Sequence, residues 1–196
     1  MNEIDVGRNK QRFKEIVESE IQRDGIQNLM RWLETSDFYS APASTQYHNA
    51  CEGGLCDHSL GVYDALIQLN ATFGLELKPE SMAIAALFHD LCKVNVYVKT
   101  KRNQKNEYGR WEEVEGYKFD DQMPLGHGEK SVFILQNSFL KLTLAEMYAI
   151  RWHMGGFDNS VKGGERGQSS AYEKCPLAAA LHLADMAATY FVEDRG

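Results

Sequence analysis

Apolar residues recur every three or four positions through much of this chain, and that spacing predicts helices before any chemistry is considered. Between 10 and 23, Phe13, Ile16, Val17 and Ile21 fall on one stripe, and Gly25 breaks the pattern. A second helical stretch, IQNLMRWLETS, leads into the polar loop DFYSAPASTQYHNACEGG, which Pro and Gly punctuate. Next comes LCDHSLGVYDALIQLNATFG, where Leu55, Leu60, Val62, Leu66 and Leu69 mark a long core helix ending near Gly74. Pro79 and Glu80 open PESMAIAALFHDLCKV, with proline in the first-turn place it prefers.

From Val94 the period shortens. Over 94–121, β-branched and aromatic residues alternate with polar ones around a turn-rich centre, which predicts a β-hairpin arm. Its tip is basic, with Lys99, Lys101, Arg102, Lys105 and Arg110. Charge on an exposed strand edge also deters unwanted pairing, so a solvated tip is the simpler reading and phosphate steering the second. Helices resume at about 127–138, 143–153 and 176–191, with the glycine-rich loop MGGFDNSVKGGERGQSS between the last two. Without internal repeat or linker, the expectation is one mainly α domain over 1–196: a helical bundle with a small β-hairpin insertion.

Composition narrows what such a bundle does. A hydrophobic share of 43% supports a packed core. The formal charge of -7 argues against a stable complex with long nucleic acid, which relies on clustered Lys and Arg. A small anionic substrate stays compatible, because a local field can oppose the overall sign. The N-terminal stretch is charged throughout and no run approaches the roughly 18 apolar residues of a spanning helix, so the expected compartment is the cytoplasm, away from membranes. Cys51, Cys56, Cys92 and Cys175 form no CxxC pair, and buried packing is favoured over ligation for Cys56 and Cys92. Oligomeric state is not legible.

The stretch AALFHDLCKV, residues 85–94, puts three ionisable groups among apolar neighbours, where uncompensated charge is costly. A metal centre answers that cost. Of the 6 histidines, His58, His89, His127, His153 and His182 each fall on or beside a different predicted helix, as a bundle needs for converging imidazoles. Adjacent helical residues point about 100° apart, so His89 and Asp90 both reach a site lying between their directions, where a carboxylate can bridge two cations. Lys93 shares nearly the same face, suited to a phosphate oxygen or to a salt bridge.

HDLCK, preceded by CDHSLGV and followed by LHLADMAATY, resembles the HD superfamily of metal-dependent phosphohydrolases. The resemblance implies His58, His89, Asp90 and Asp185 as metal ligands. YHNACEGGLCDHSLGV, PLGHGEKS and RWHMGG are similar to the HD domains of certain exoribonucleases and of dinuclear phosphodiesterases, which adds His127 and His153 and makes Asp90 the bridge. Two departures stand out. Cys92 replaces the glycine of the HDxGK form, and the chain has no room for a separate nucleic-acid-binding domain, which argues against processive RNA digestion.

The surrounding polar residues carry smaller expectations. His182 shares the face of Asp185 and would orient that carboxylate; His48 would reach substrate from its loop or lie idle at the surface. Lys130, one turn past His127, is a phosphate contact or a solvated cation, and Glu52 and Asp57 are ordinary exposed acids by default. The reading is metal-dependent hydrolysis of a phosphomonoester or phosphodiester with one or two ions (Mn, Fe, Ni, Zn or Mg). Asp90, Lys93 and Lys130 carry the catalysis, and the substrate is a nucleotide, a cyclic dinucleotide or a short oligonucleotide. The same ligands resemble those of HD-type diiron oxygenases, and a non-catalytic metal-containing binding module is the third possibility.

Overall fold

The computed structural model describes residues 4–45 and 49–193, with the side chains of positions 102 and 104 left aside. Among the described residues nine α-helices surround one apolar centre, and the only sheet is a hairpin. Helix α1 (Val6–Glu20) starts earlier than the apolar spacing suggests, because the Asp5 side chain caps it by accepting from the Arg8 N–H at 2.9 Å. It ends at Ile21, whose backbone is extended. Helix α2 (Ile26–Thr35) follows, and its entry is fixed by Gly25, where a Cβ would fall 1.9 Å from the Phe139 carbonyl oxygen.

Helices α3 (Gly54–Phe73) and α4 (Pro79–Phe88) form the centre. Every residue of α4 from Ser81 to Phe88 is buried, which is why its apolar positions run on rather than alternate. Phe13, Phe38 and Phe88 meet edge to face, with Phe13 at 5.1 Å from Phe38 and 5.8 Å from Phe88. Such pairs add about 0.5–1.5 kcal/mol beyond their burial, and here they anchor the end of α4 that carries the His-Asp doublet. That end is a correction. The α-helix stops at Phe88; His89 is its cap, and Asp90 leads into a 3₁₀ turn, Leu91–Lys93, closed by Lys93 N–H to the Asp90 carbonyl at 2.9 Å.

Strands β1 (Tyr97–Lys105) and β2 (Trp111–Phe119) pair antiparallel from Tyr97↔Phe119 to Lys105↔Trp111, inside the expected arm. The Asn106 side chain accepts from the N–H groups of Tyr108 and Arg110 and shapes the turn. The basic strand is not left uncompensated. It faces Glu112, Glu113 and Glu115 of β2, and Lys101 pairs with Glu113 at 2.6 Å, so the solvated-tip reading fits better than phosphate steering.

Helices α5 (His127–Ser138) and α6 (Leu144–Trp152) approach at Gly128, where an added Cβ would lie 2.2 Å from the Arg151 carbonyl oxygen. That closeness brings His127 beside His153. The glycine-rich stretch is more ordered than its composition suggests, holding α7 (Asn159–Lys162) and α8 (Gly167–Lys174). Asp158 caps the first, and the Tyr172 hydroxyl ties the second to the Trp152 carbonyl at 2.8 Å. Helix α9 (Pro176–Ala187) packs on α3 and α6 and widens into a π-helical turn, Ala188–Val192. Among the described residues no single helix is long and apolar enough to cross a membrane.

Candidate metal centre

Five helices, through their bodies or their ends, bring six residues together. His58 comes from α3, His89 and Asp90 from the end of α4, His127 from the start of α5, His153 from the end of α6 and Asp185 from α9. His58 Nε2 lies 3.2 Å from His89 Nε2, 3.3 Å from Asp185 Oδ1 and 3.6 Å from Asp90 Oδ2. His127 Nε2 lies 2.7 Å and His153 Nε2 3.5 Å from Asp90 Oδ1. Asp90 is thus the hinge between two donor sets: His58, His89 and Asp185 on one side, His127 and His153 on the other. The groups His58–His89–Asp185 and His89–Asp90–His153 each offer three donors within 4.8 Å of one another.

Backbone carbonyls fix how the imidazoles point. His89 Nδ1 donates to the Ala86 carbonyl at 2.8 Å, and His153 Nδ1 to the Ile150 carbonyl at 2.7 Å. A carbonyl only accepts, so the proton sits on Nδ1 and the Nε2 lone pair faces the centre. His58 Nδ1 is held in the same sense by Glu193 Oε1 at 2.5 Å. His153 Nε2 is buried without a hydrogen-bond partner among the described residues. An unmet buried acceptor costs about 1–3 kcal/mol, so a cation that takes its lone pair fits this donor set well.

Charge balance points the same way. Burial opposes a charge on His58, but hydrogen bonds to Asp185 and Glu193 outweigh it and lift its pKa to about 10. Burial likewise opposes a charge on His127, and Cys92 and Asp90 outweigh it, again to about 10. His89 is pushed down to about 3, by burial first and by the nearby His153 and His58. Burial resists ionisation of Asp90 and Asp185, yet Lys93 with His89 and His127 holds the first well below the usual carboxylate range, and His58 depresses the second. Protons on His58 and His127 together with the Lys93 ammonium therefore balance Asp90, Asp185 and Glu193. A divalent ion can replace the two protons without leaving net charge buried.

The centre opens on a cavity of about 870 Å³. Lys93 lines it, its Nζ 2.7 Å from Asp90 Oδ2, and Tyr97, Phe119, Phe157 and Tyr190 supply aromatic walls, with Lys162 at the rim. Lys130 does not belong to this wall: its side chain is 6% exposed and its ammonium pairs with Asp121 at 2.5 Å. His182 is corrected too. Its Nδ1 donates to the His153 carbonyl at 2.7 Å and its ring stacks on Tyr172, so it steadies the α6 end instead of Asp185. Gly155, with φ +55°, makes room for that ring: an added Cβ would meet it at 2.3 Å. Asp57 accepts from Asn9 and Asn49 and ties loop to helix, while Glu52 stays exposed. His48 lies outside the described residues.

Two neighbours of the centre escape a sequence reading. Glu193 lies beyond the last helical repeat and reaches His58 only because the π-helical turn shifts the phase of the chain. Cys92 is visible as an oddity of its motif, but nothing in the spacing places its sulfur 3.4 Å from His127.

A helical scaffold on which imidazoles and carboxylates converge under an open cavity has the donor set of a divalent-metal centre. The HD domain family model matches residues 55–189, and the chain belongs to that family. HD domains are in general metal-dependent hydrolases of the phosphohydrolase superfamily. Comparison with curated proteins and with solved structures gives no match.

Proposed function

We propose that this protein is a phosphatase or phosphodiesterase. It hydrolyses a small phosphorylated substrate: a nucleotide, a cyclic dinucleotide or a short oligonucleotide. The supporting observation is the buried, unpartnered Nε2 of His153, set among donors that share Asp90 beneath a cavity carrying Lys93.

His58, His89, Asp90 and Asp185 would hold one ion and Asp90, His127 and His153 a second, drawn from Mn, Fe, Ni, Zn or Mg. Such ions, when bound, supply Lewis acidity at phosphorus and acidify water toward neutrality. The chain's own groups do the rest. Lys93 offers its ammonium to a non-bridging phosphate oxygen while its contact with Asp90 keeps it aimed at the cavity. Glu193 and the carbonyls of Ala86 and Ile150 keep protons on the outer nitrogens of His58, His89 and His153. Tyr97 and Phe119, 5.8 Å apart, form a wall suited to stacking a flat base. The cavity admits a dinucleotide-sized ligand more readily than a long strand. Lys130, paired with Asp121, is assigned to holding the hairpin's return against α5 and not to the substrate.

The test combines elemental analysis of protein purified without added metal with a phosphodiesterase and nucleotidase screen. Wild type is compared with Asp90→Ala and with the isosteric Asp90→Asn. Bound divalent metal and turnover lost in both variants are expected; equal turnover by all three proteins overturns the proposal. Bound iron with an oxygen-dependent spectral change and no phosphoester turnover would instead select the diiron oxygenase reading.

A further inference from the structure

The 3₁₀ turn after the doublet carries one more side chain into the centre. Cys92 is 4% exposed, and its N–H donates to Ser131 Oγ at 3.0 Å, which pins the turn to α5. Its Sγ lies 3.4 Å from His127 Nδ1, 3.5 Å from His127 Nε2 and 4.0 Å from Asp90 Oδ1. One donor atom from each of Asp90, Cys92 and His127 lies within 4.8 Å of the others. Bonds of about 2.0–2.3 Å to a tetrahedral ion put neighbouring ligand atoms about 3.3–3.8 Å apart. The two Sγ–His127 distances fall in that range, whereas Sγ to Asp90 Oδ1 at 4.0 Å is slightly wider and His127 Nε2 to Asp90 Oδ1 at 2.7 Å is a direct hydrogen bond, so an ion entering here would part the His127–Asp90 pair.

The independent observation lies on the other side of the same carboxylate oxygen. His153 Nε2, buried and without a hydrogen-bond partner among the described residues, is 3.5 Å from Asp90 Oδ1. Asp90 Oδ1 is therefore flanked by an imidazole nitrogen that lacks a partner, by the His127 ring and by a buried sulfur.

We propose that Cys92 is a sulfur ligand, with Asp90 and His127, of the cation position nearest α5, and that this position prefers borderline and thiophilic ions such as Zn²⁺, Fe²⁺ or Co²⁺ over Mg²⁺. This rests on the metal-centre reading above and narrows its ions. Thiolate is a soft ligand, whereas Mg²⁺ favours carboxylate, carbonyl and water oxygen. On ligation the thiol proton passes to solvent, so uptake of the ion releases protons.

The experiment titrates the metal-free full chain with Co²⁺ alone and follows its absorption. Wild type is expected to show visible cobalt bands and an intense near-ultraviolet thiolate-to-cobalt charge-transfer band. Cys92→Ser keeps visible bands, loses the charge-transfer band and binds Co²⁺ at least roughly tenfold more weakly, the least that losing even a supporting group of a metal site costs. Cys51→Ala and Cys56→Ser retain the band. Visible bands without charge transfer in wild type would overturn sulfur ligation and leave the metal centre standing. A charge-transfer band that survives in Cys92→Ser would also overturn it. No cobalt absorption at all would end the metal-centre reading and this inference with it. X-ray absorption of the cobalt-loaded wild type reads sulfur bound to the ion without any variant, so a misfolded Cys92→Ser leaves the proposal testable.

Discussion

Two groups of buried ionisable side chains lie in this molecule, and they are finished differently. Where the α1–α2 connection meets α4 and α6, Glu146 is fully buried and every direction around its carboxylate is taken. Arg23 reaches it through both terminal nitrogens at 2.5 and 3.1 Å, Ser81 Oγ at 2.7 Å and the Thr143 N–H at 2.8 Å. Glu80 takes the remaining side of Arg23 at 2.7 Å. The histidine-aspartate centre is buried at His58, His89, Asp90 and His153 and open at His127 and Asp185, and there His153 Nε2 and Glu193 Oε2 have no hydrogen-bond partner among the described residues. A saturated polar network specifies a fold; an unsaturated one facing a cavity awaits a ligand.

Breaking the saturated group should produce the largest effect. Glu146→Ala removes the Thr143 capping box of α6 along with the ion pair, and leaves Arg23 with Glu80 alone. A loss of about 3–5 kcal/mol is expected in denaturant unfolding, as for buried pairs cut on one side. A loss below about 1 kcal/mol would mean that water replaces the carboxylate and that the network is not closed. In the open group the comparable cation is Lys93, which contacts one carboxylate and faces the cavity. Lys93→Met should lower kcat roughly 10²–10³-fold, the cost of removing one charge-stabilising donor. Lys130→Met, whose partner is Asp121, should lower stability and leave kcat near wild type.

Ion removal sharpens the contrast. At a free ion concentration of 100 times Kd, a chelator should lower wild-type stability by about 2.7 kcal/mol. His153→Gln should shrink that difference strongly. Its metal-free stability should fall by only about 1 kcal/mol, since the one hydrogen bond lost is that from Nδ1 to Ile150. Paired melts with and without chelator measure both quantities, and an undiminished chelator effect in the variant would remove His153 from the centre.

The two groups also differed in legibility. Periodicity located the helices that build the core, because Phe13, Val17, Leu55 and Leu66 repeat at the helical period and are buried accordingly. Helix ends are less legible in the sequence, since they depend on local contacts such as the Asp5 cap and the 3₁₀ closure after Asp90. The six converging residues came from ordered motifs and their resemblance, not from spacing. No sequence signal joins Arg23 to Glu146, 123 positions apart, or Lys130 to Asp121 across the return of the hairpin. Glu193 was hidden by a change of helical phase. Pairings made by tertiary approach leave no period in the chain.

The smallest effect at neutral pH is a difference in how the two groups titrate. His58 and His127 are raised to about 10 from an unfolded value of 6.5, so without metal their contribution is complete below 6.5 and drains away as pH rises toward 10. Glu146 runs the opposite way. Burial alone would raise it, but Arg23, the Thr143 N–H and Ser81 hold it below its unfolded 4.5. Its contribution is therefore present above 4.5 and is lost as pH falls through the folded value. Melting temperatures recorded against pH in chelator should decline at both ends. Glu146→Gln should remove its share of the acid limb and leave the alkaline limb unchanged, the rest of the acid limb coming from Asp90, Asp185 and His89. Saturating Co²⁺ should flatten the alkaline limb, because the ion takes the place of the two imidazole protons. An alkaline limb unmoved by the ion would show that those protons and the ion do not compete, and the centre would then be a buried charge network like its saturated counterpart.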